Sequence, residues 1–281
     1  MPVWQLTDRT LELDPRRPIG AGIVNVTTDS MFEGARSGTP EQAIADGVRL
    51  AEAGFGLIDV GAVPARSGPP VDADAEAALL VPAIEGLAAA LEIPVTADSF
   101  NPEVASRAVA AGAHAINDIG GGRDEMLELV AAAGCGYVLM HIEGPPRKDR
   151  AAPDYPDVVA RLLEFFGERL ERARQLGVPN EAIAIDPGLD FDLNTDHALE
   201  ILRRLGELRT LGRPIFISLS RKDFLGAVIA GNWERRLGAA QRGAGTLAAA
   251  SIAAAAGAEI HRLHDVGALD AIRVAGAIAH G

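Results

Sequence analysis

Four short apolar, β-branched runs end on a carboxylate or an amide: Asp59 in "GLIDVGA", Asp98 in "IPVTADS", Asn117 in "HAINDI" and Asp186 in "AIAIDPG". Carboxylates accept ring N–H and amino protons, and an amide both donates and accepts. Gathered at one place, these groups suit a flat, nitrogen-rich heterocycle. Lys222 in "SLSRKDF" adds a donor for a ring oxygen or nitrogen. Arg262 and His264, two apart in "EIHRLHDV", face the same way on an extended chain. With Arg66 in "PARSG" they make a cationic niche for phosphate-like oxygens. Asn25 in "IVNVTTDS" offers a carbonyl oxygen suited to hydrated Mg²⁺. Other polar residues have structural uses. Asn101 and Asp124 sit where helix caps are expected. Asp265 is placed to fix His264, His141 serves either core or site, and His114, His197 and His261 are expected to be structural.

A fold must bring these distant residues together. Eight strand-like runs lie at 19–27, 56–62, 93–99, 114–119, 136–141, 182–188, 213–220 and 258–266. Helical stretches are predicted at 39–53, 72–91, 101–111, 124–133, 156–176, 195–211, 235–256 and 267–279. Such alternation means parallel strands with crossover helices, and eight units closing on themselves make a (β/α)8 TIM barrel. Glycines in "EAGFG", "AAGAH", "AAGCG", "QLGVP" and "TLGRP" follow helices, as C-caps do. No G-x-G-x-x-G follows the first strand, which disfavours a doubly wound nucleotide fold. We expect one domain over 1–281, with a short N-terminal extension over 1–17. In a barrel the C-terminal strand ends share one mouth, so the polar strand-end residues named above converge there.

Composition narrows the partners. The 281 residues are 48% hydrophobic and carry a formal charge of −13, which argues against nucleic acid or an anionic membrane as partner. The single cysteine, Cys135, cannot form an internal disulfide, and "MPVWQLTDRTLELDPRRP" has no apolar signal core. A cytoplasmic, soluble protein is expected.

In order along the chain, "GIVNVTTDS", "DVGAVPARSG", "VTADS", "INDIGG", "VLMHIEG", "IDPGLDF", "SLSRKDFLG" and "RLHDV" resemble the motifs of dihydropteroate synthases. That family belongs to the pterin-binding superfamily of (β/α)8 barrels. It joins p-aminobenzoate to 6-hydroxymethyl-7,8-dihydropterin pyrophosphate, giving 7,8-dihydropteroate and pyrophosphate. The resemblance implies that Asp98, Asn117, Met140, Asp186 and Lys222 hold the pterin. It implies that Asn25, Arg66, Arg262 and His264 hold the pyrophosphate, with Mg²⁺ at Asn25. Ala65, Ser67, Phe191, Ser220 and Arg221 fall on the p-aminobenzoate side. Asp98, Lys222, Arg66 and Asp59 are the implied catalytic set. A homodimer through "GTLAAASIAAAAGA" is implied as well.

Departures from the family pattern cluster on the p-aminobenzoate side. Ala65 stands for the Thr before the loop arginine, Ser67 for the following Pro, and Met31 for a Phe. Asp223 replaces a Ser, and Asp190-Phe191-Asp192-Leu193 replaces G-F-G-K. An Asp223 carboxylate ~6 Å from a substrate carboxylate, at an effective dielectric near 20, would repel it by about 2–3 kcal/mol. Three readings follow. One is a synthase with a reshaped aniline pocket that accepts sulfonamide mimics less well. Another is a pterin-binding relative with a different amine nucleophile or none. The third is a methyl-folate methyltransferase serving a corrinoid protein, against which the retained arginine and histidine argue.

Overall fold

The computed structural model describes residues 2–27, 37–65, 68, 71–148 and 153–281. Eight strands run parallel: β3 (Ile19–Asn25), β4 (Leu57–Gly61), β5 (Val95–Asp98), β6 (Ala115–Asp118), β7 (Gly136–Met140), β8 (Ile183–Asp186), β9 (Phe216–Ser218) and β10 (Ile260–Leu263). Their order is β8-β7-β6-β5-β4-β3-β10-β9, and a parallel bridge from Ile185 to Ile215 closes the ring. β4, β6, β7 and β8 are buried at every position. That is the consequence of a barrel interior on one face and helices on the other.

Ahead of the barrel, β1 (Val3–Gln5) and β2 (Thr10–Glu12) form an antiparallel hairpin. Trp4, Leu6 and Leu13 pack from it onto Ala21, Leu57, Ala115, Val138, Ala184, Phe216 and Ile260. These strand residues lie toward the N-terminal ends, so the hairpin plugs the end opposite the mouth. Trp4 Nε1 donates to the Ala182 carbonyl at 2.9 Å, which satisfies the one polar atom of the buried indole. The N-terminal extension is therefore part of the core.

The crossover helices are α1 (Pro40–Glu52), α2 (Ala73–Ala90), α3 (Pro102–Ala110), α4 (Asp124–Ala133), α5 (Val158–Gln175), α6 (Thr195–Arg203), α7 (Asp223–Ala230), α8 (Gly243–Ala255) and α9 (Val266–His280). Thr39, Asp72, Asn101 and Asp157 cap α1, α2, α3 and α5 through side-chain oxygens. Asn194 and His197 close a reciprocal capping box on α6.

Three expectations change. The predicted helix at 195–211 stops at Arg203 and continues as a tighter 3-10 turn over Leu205–Leu211. The helix expected from 235 begins at Gly243. α7 was not foreseen, because "DFLGAVIA" is apolar on nearly every side and has no amphipathic period.

Candidate active site

Pairing register brings the polar strand ends together. Asp59 lies opposite Thr96, Asp98 opposite Asn117, and Arg262 opposite Ser218. Asp59 is fully buried and has three donors. Thr96 Oγ1 gives to its Oδ1 at 2.5 Å, and Asn117 Nδ2 and Arg262 Nε give to its Oδ2 at 3.0 and 2.5 Å. The same guanidinium reaches Asp98 Oδ2 through Nη2 at 2.7 Å. Burial pushes the Asp98 carboxyl up to about 7, against the pull of Arg262. A Cβ on Gly61 would lie 3.3 Å from Asp98 Oδ2, so the neighbouring strand end leaves that carboxylate its room.

On the other side of the mouth, Asp186 Oδ1 accepts from the Gly188 amide at 2.8 Å. Burial raises its pKa, opposed by that amide and by Lys222, Arg262 and Ser218. Lys222 donates to the Leu189 carbonyl at 2.8 Å and stands 4.7 Å from the centre of the Phe191 ring. Met140, Ile119 and Ile142 form a separate apolar cluster onto which Ala65, Phe100 and Phe191 pack. The mouth thus has a polar floor and one apolar wall, the mixed lining common to small-molecule sites.

His264 Nδ1 lies 2.7 Å from Ser220 Oγ, which also accepts the His264 backbone amide at 3.3 Å. Burial and the charges of Arg262, Arg221 and Lys222 push the imidazole down to about 3. At neutral pH the imidazole is therefore held as an uncharged hydrogen-bonding group beside these cations. Arg221 grips both oxygens of Asp265 at 2.9 and 2.8 Å. The partner of Asp265 is therefore Arg221 rather than His264.

The acidic substitutions point elsewhere than expected. Asp223 is buried against Arg242, at 2.5 Å, with Arg236 at 3.5 Å, so its charge is neutralised inside the protein. Leu193 is buried in the main core. Asp190 reaches the start of α7, where its Oδ2 accepts the Asp223 amide at 2.5 Å and its Oδ1 the Phe224 amide at 3.2 Å. Asp192 Oδ2 accepts the Glu143 amide at 3.1 Å. Both aspartates have left-handed backbone, φ 67° and 54°, a conformation costing a non-glycine residue about 1–2 kcal/mol.

Residues absent from the sequence reading complete the site. Arg147, φ 62°, donates from Nη1 to the Pro64 carbonyl at 2.7 Å and ties the loop after β7 to the loop after β4. Glu76 is buried beneath, accepting from Ser99 Oγ at 2.6 Å. Only the left-handed backbone of Arg147 distinguishes it, and sequence does not announce that. Asp124 does not cap α4. It is that helix's first residue and pairs with Arg172 at 2.7 Å. Asn101 caps α3 as expected, His197 caps α6, and His114 accepts the Val95 amide. His141 is wholly buried, its Nε2 3.2 Å from Glu143 Oε1. Arg66, Ser67 and Met31 lie outside the described residues.

Among the described residues no group of three His, Cys, Asp or Glu side chains could hold a metal. Asn25 ends β3 half-buried, with its backbone carbonyl taken by the Ser37 amide at 2.9 Å. A single side-chain oxygen suits Mg²⁺, which keeps most of its water and takes substrate phosphate oxygens for the rest.

Residues 21–264 match the family of pterin binding enzymes. Dihydropteroate synthase of Escherichia coli (strain K12) is 35% identical over 256 residues, covering 90% of this chain and 89% of the relative. A Mycobacterium leprae (strain TN) protein named inactive dihydropteroate synthase 2 is 38% identical over 263 residues, covering 89% and 88%. Among solved structures, Xanthomonas albilineans dihydropteroate synthase with 4-aminobenzoic acid aligns with a TM-score of 0.87 at 39% identity, covering 100% of this chain and 99% of that one.

Proposed function

The chain belongs to the pterin-binding enzymes, and from that membership we propose that it catalyses the dihydropteroate synthase reaction. It condenses 6-hydroxymethyl-7,8-dihydropterin pyrophosphate with p-aminobenzoate to give 7,8-dihydropteroate and pyrophosphate. The observation that carries this is the convergence of Asp98, Asn117, Asp186 and Lys222 at one mouth. There Arg262 sits between Asp59 and Asp98.

The roles follow from the donors and acceptors. Asp98 and Asp186 accept ring N–H and amino protons, Asn117 donates and accepts, and Lys222 donates to a ring acceptor. Met140 and its apolar neighbours cover the ring face, and Phe191 and Ala65 line the path of the aniline. The C–O bond to the diphosphate breaks first. Its charge goes to Arg66 and to His264, which stays neutral until an anion arrives beside it. Mg²⁺ held at Asn25 would supply charge neutralisation on the diphosphate oxygens. Asp98 and Asp59 stabilise the positive charge left on the pterin methylene. The aniline nitrogen forms the C–N bond and its proton leaves with the diphosphate. Ser220 and Arg221 stand at the aniline side as supports, since each is already engaged within the chain.

The test is pyrophosphate release from the pterin substrate with Mg²⁺, with and without p-aminobenzoate. Release that depends on p-aminobenzoate and yields dihydropteroate confirms the reading. The identity with an inactive relative favours a second reading, a pterin-binding protein with no amine acceptor. Tight pterin binding with no release would establish it.

A homodimer is also part of this reading. Exposed Val228, Ile229, Leu247 and Ile252 on α7 and α8 support a second copy as their cover. Light scattering on the purified chain decides it. No helix among the described residues is long and apolar enough to cross a membrane.

A further inference from the structure

We propose that Asp190 is a specificity-determining residue for the amine substrate. It places the chain's own carboxylate on the α7 amides beside the pocket, so the carboxylate of p-aminobenzoate gains little there. The inference rests on the synthase reading and concerns its second substrate.

Position is the first argument. Lys222, which faces Phe191 across 4.7 Å, is the residue before α7, so the opening amides of that helix lie one residue from the pocket. Backbone amides at a helix start are natural donors for a carboxylate. Here they already hold one, with Asp190 oxygens 2.5 Å from the Asp223 amide and 3.2 Å from the Phe224 amide. Asp190 is 7% exposed and adopts φ 67°, a left-handed backbone that persists only when its surroundings hold it.

The neighbouring cations are the second argument, and they are independent of the first. Arg221 is held by both oxygens of Asp265, and Arg242 by Asp223 at 2.5 Å. Arg262 is shared by Asp59 and Asp98. Each of these three arginines is held by a carboxylate of the chain itself, and Arg236 shares Asp223 with Arg242 at 3.5 Å. A substrate carboxylate arriving here must displace an intramolecular one that needs no diffusion to return. A neutral aniline meets no such competition.

Two variants separate charge from structure. Asp190→Asn keeps a capping oxygen and tolerates the left-handed backbone while removing the charge. Asp190→Gly relaxes the backbone and empties the amides. Affinities of p-aminobenzoate and its neutral analogue 4-aminobenzamide are measured calorimetrically with 6-hydroxymethylpterin and pyrophosphate present, beside turnover with each amine. The wild type is expected to bind the two amines within about threefold. Asp190→Asn should shift the ratio toward p-aminobenzoate by about tenfold and Asp190→Gly by more, roughly 1.4 kcal/mol per tenfold. A wild-type preference for p-aminobenzoate beyond about thirtyfold, unchanged in both variants, overturns the proposal. No turnover by the wild type with either amine, with the binding ratio still shifted in the variants, would overturn the synthase reading and leave the assignment of Asp190 standing.

Discussion

Arg262 Nη2 lies 2.7 Å from Asp98 Oδ2 while its Nε lies 2.5 Å from Asp59 Oδ2, so one guanidinium joins two carboxylates from different strands. Removing it leaves both charges buried without their counter-ion. Arg262→Met should destabilise the fold by about 3–5 kcal/mol. Asp59→Asn in the same chain should recover part of that loss. Thermal melting of the single and double variants measures it, and simple additivity would show that the two side chains are not coupled.

Asp98 makes pterin binding pH-dependent. Burial raises its carboxyl to about 7, so it is mostly protonated at pH 6 and mostly ionised at pH 8. A ring that donates to the carboxylate should bind about tenfold more tightly at pH 8 than at pH 6. Titration calorimetry across that range tests this, and a flat profile would mean Asp98 is ionised throughout.

His264 makes stability acid-sensitive. Its pKa is depressed to about 3 by burial and neighbouring cations. In the unfolded chain it takes up a proton near pH 6.5, and the folded form does not. Its contribution is therefore complete above pH 6.5 and is lost progressively as pH falls toward 3. By pH 5 the loss should reach about 1–2 kcal/mol. Chemical denaturation of His264→Asn should show that much less change between pH 7 and pH 5 than the wild type.

Arg147 holds the Pro64 carbonyl, two residues before Arg66. Arg147→Gln should raise KM for the pterin pyrophosphate by about tenfold, the loss of one charge-assisted hydrogen bond. The affinity for the pterin alcohol, which has no phosphates, should hardly change. Equal losses for both ligands would place the effect in the ring pocket instead.

Trp4 plugs the far end of the barrel. Trp4→Ala should cost about 3–5 kcal/mol of stability through the cavity it opens. Michaelis constants should stay close to wild type, because the plug lies opposite the mouth. A large change in KM without loss of melting temperature would contradict that separation.

Strand–helix alternation and the polar ends of eight apolar runs are local features, so the barrel and the convergence of Asp59, Asp98, Asn117, Asp186, Lys222 and Arg262 could be read from the chain alone. A continuous apolar, β-branched run and a glycine after a helix need no knowledge of distant neighbours. Who pairs with whom is a different matter. Asp223 faces Arg242 rather than the substrate, Asp265 holds Arg221 rather than His264, and Asp190 caps a helix more than thirty residues away. The direction of a side chain depends on backbone angles and on the elements packed beside it. Asp190, Asp192 and Arg147 have left-handed backbone and each bonds to a segment distant in sequence. The amino-acid sequence determined which chemical groups reach the mouth, and only the tertiary structure decided which are already bonded to one another and so what a substrate finds to bind.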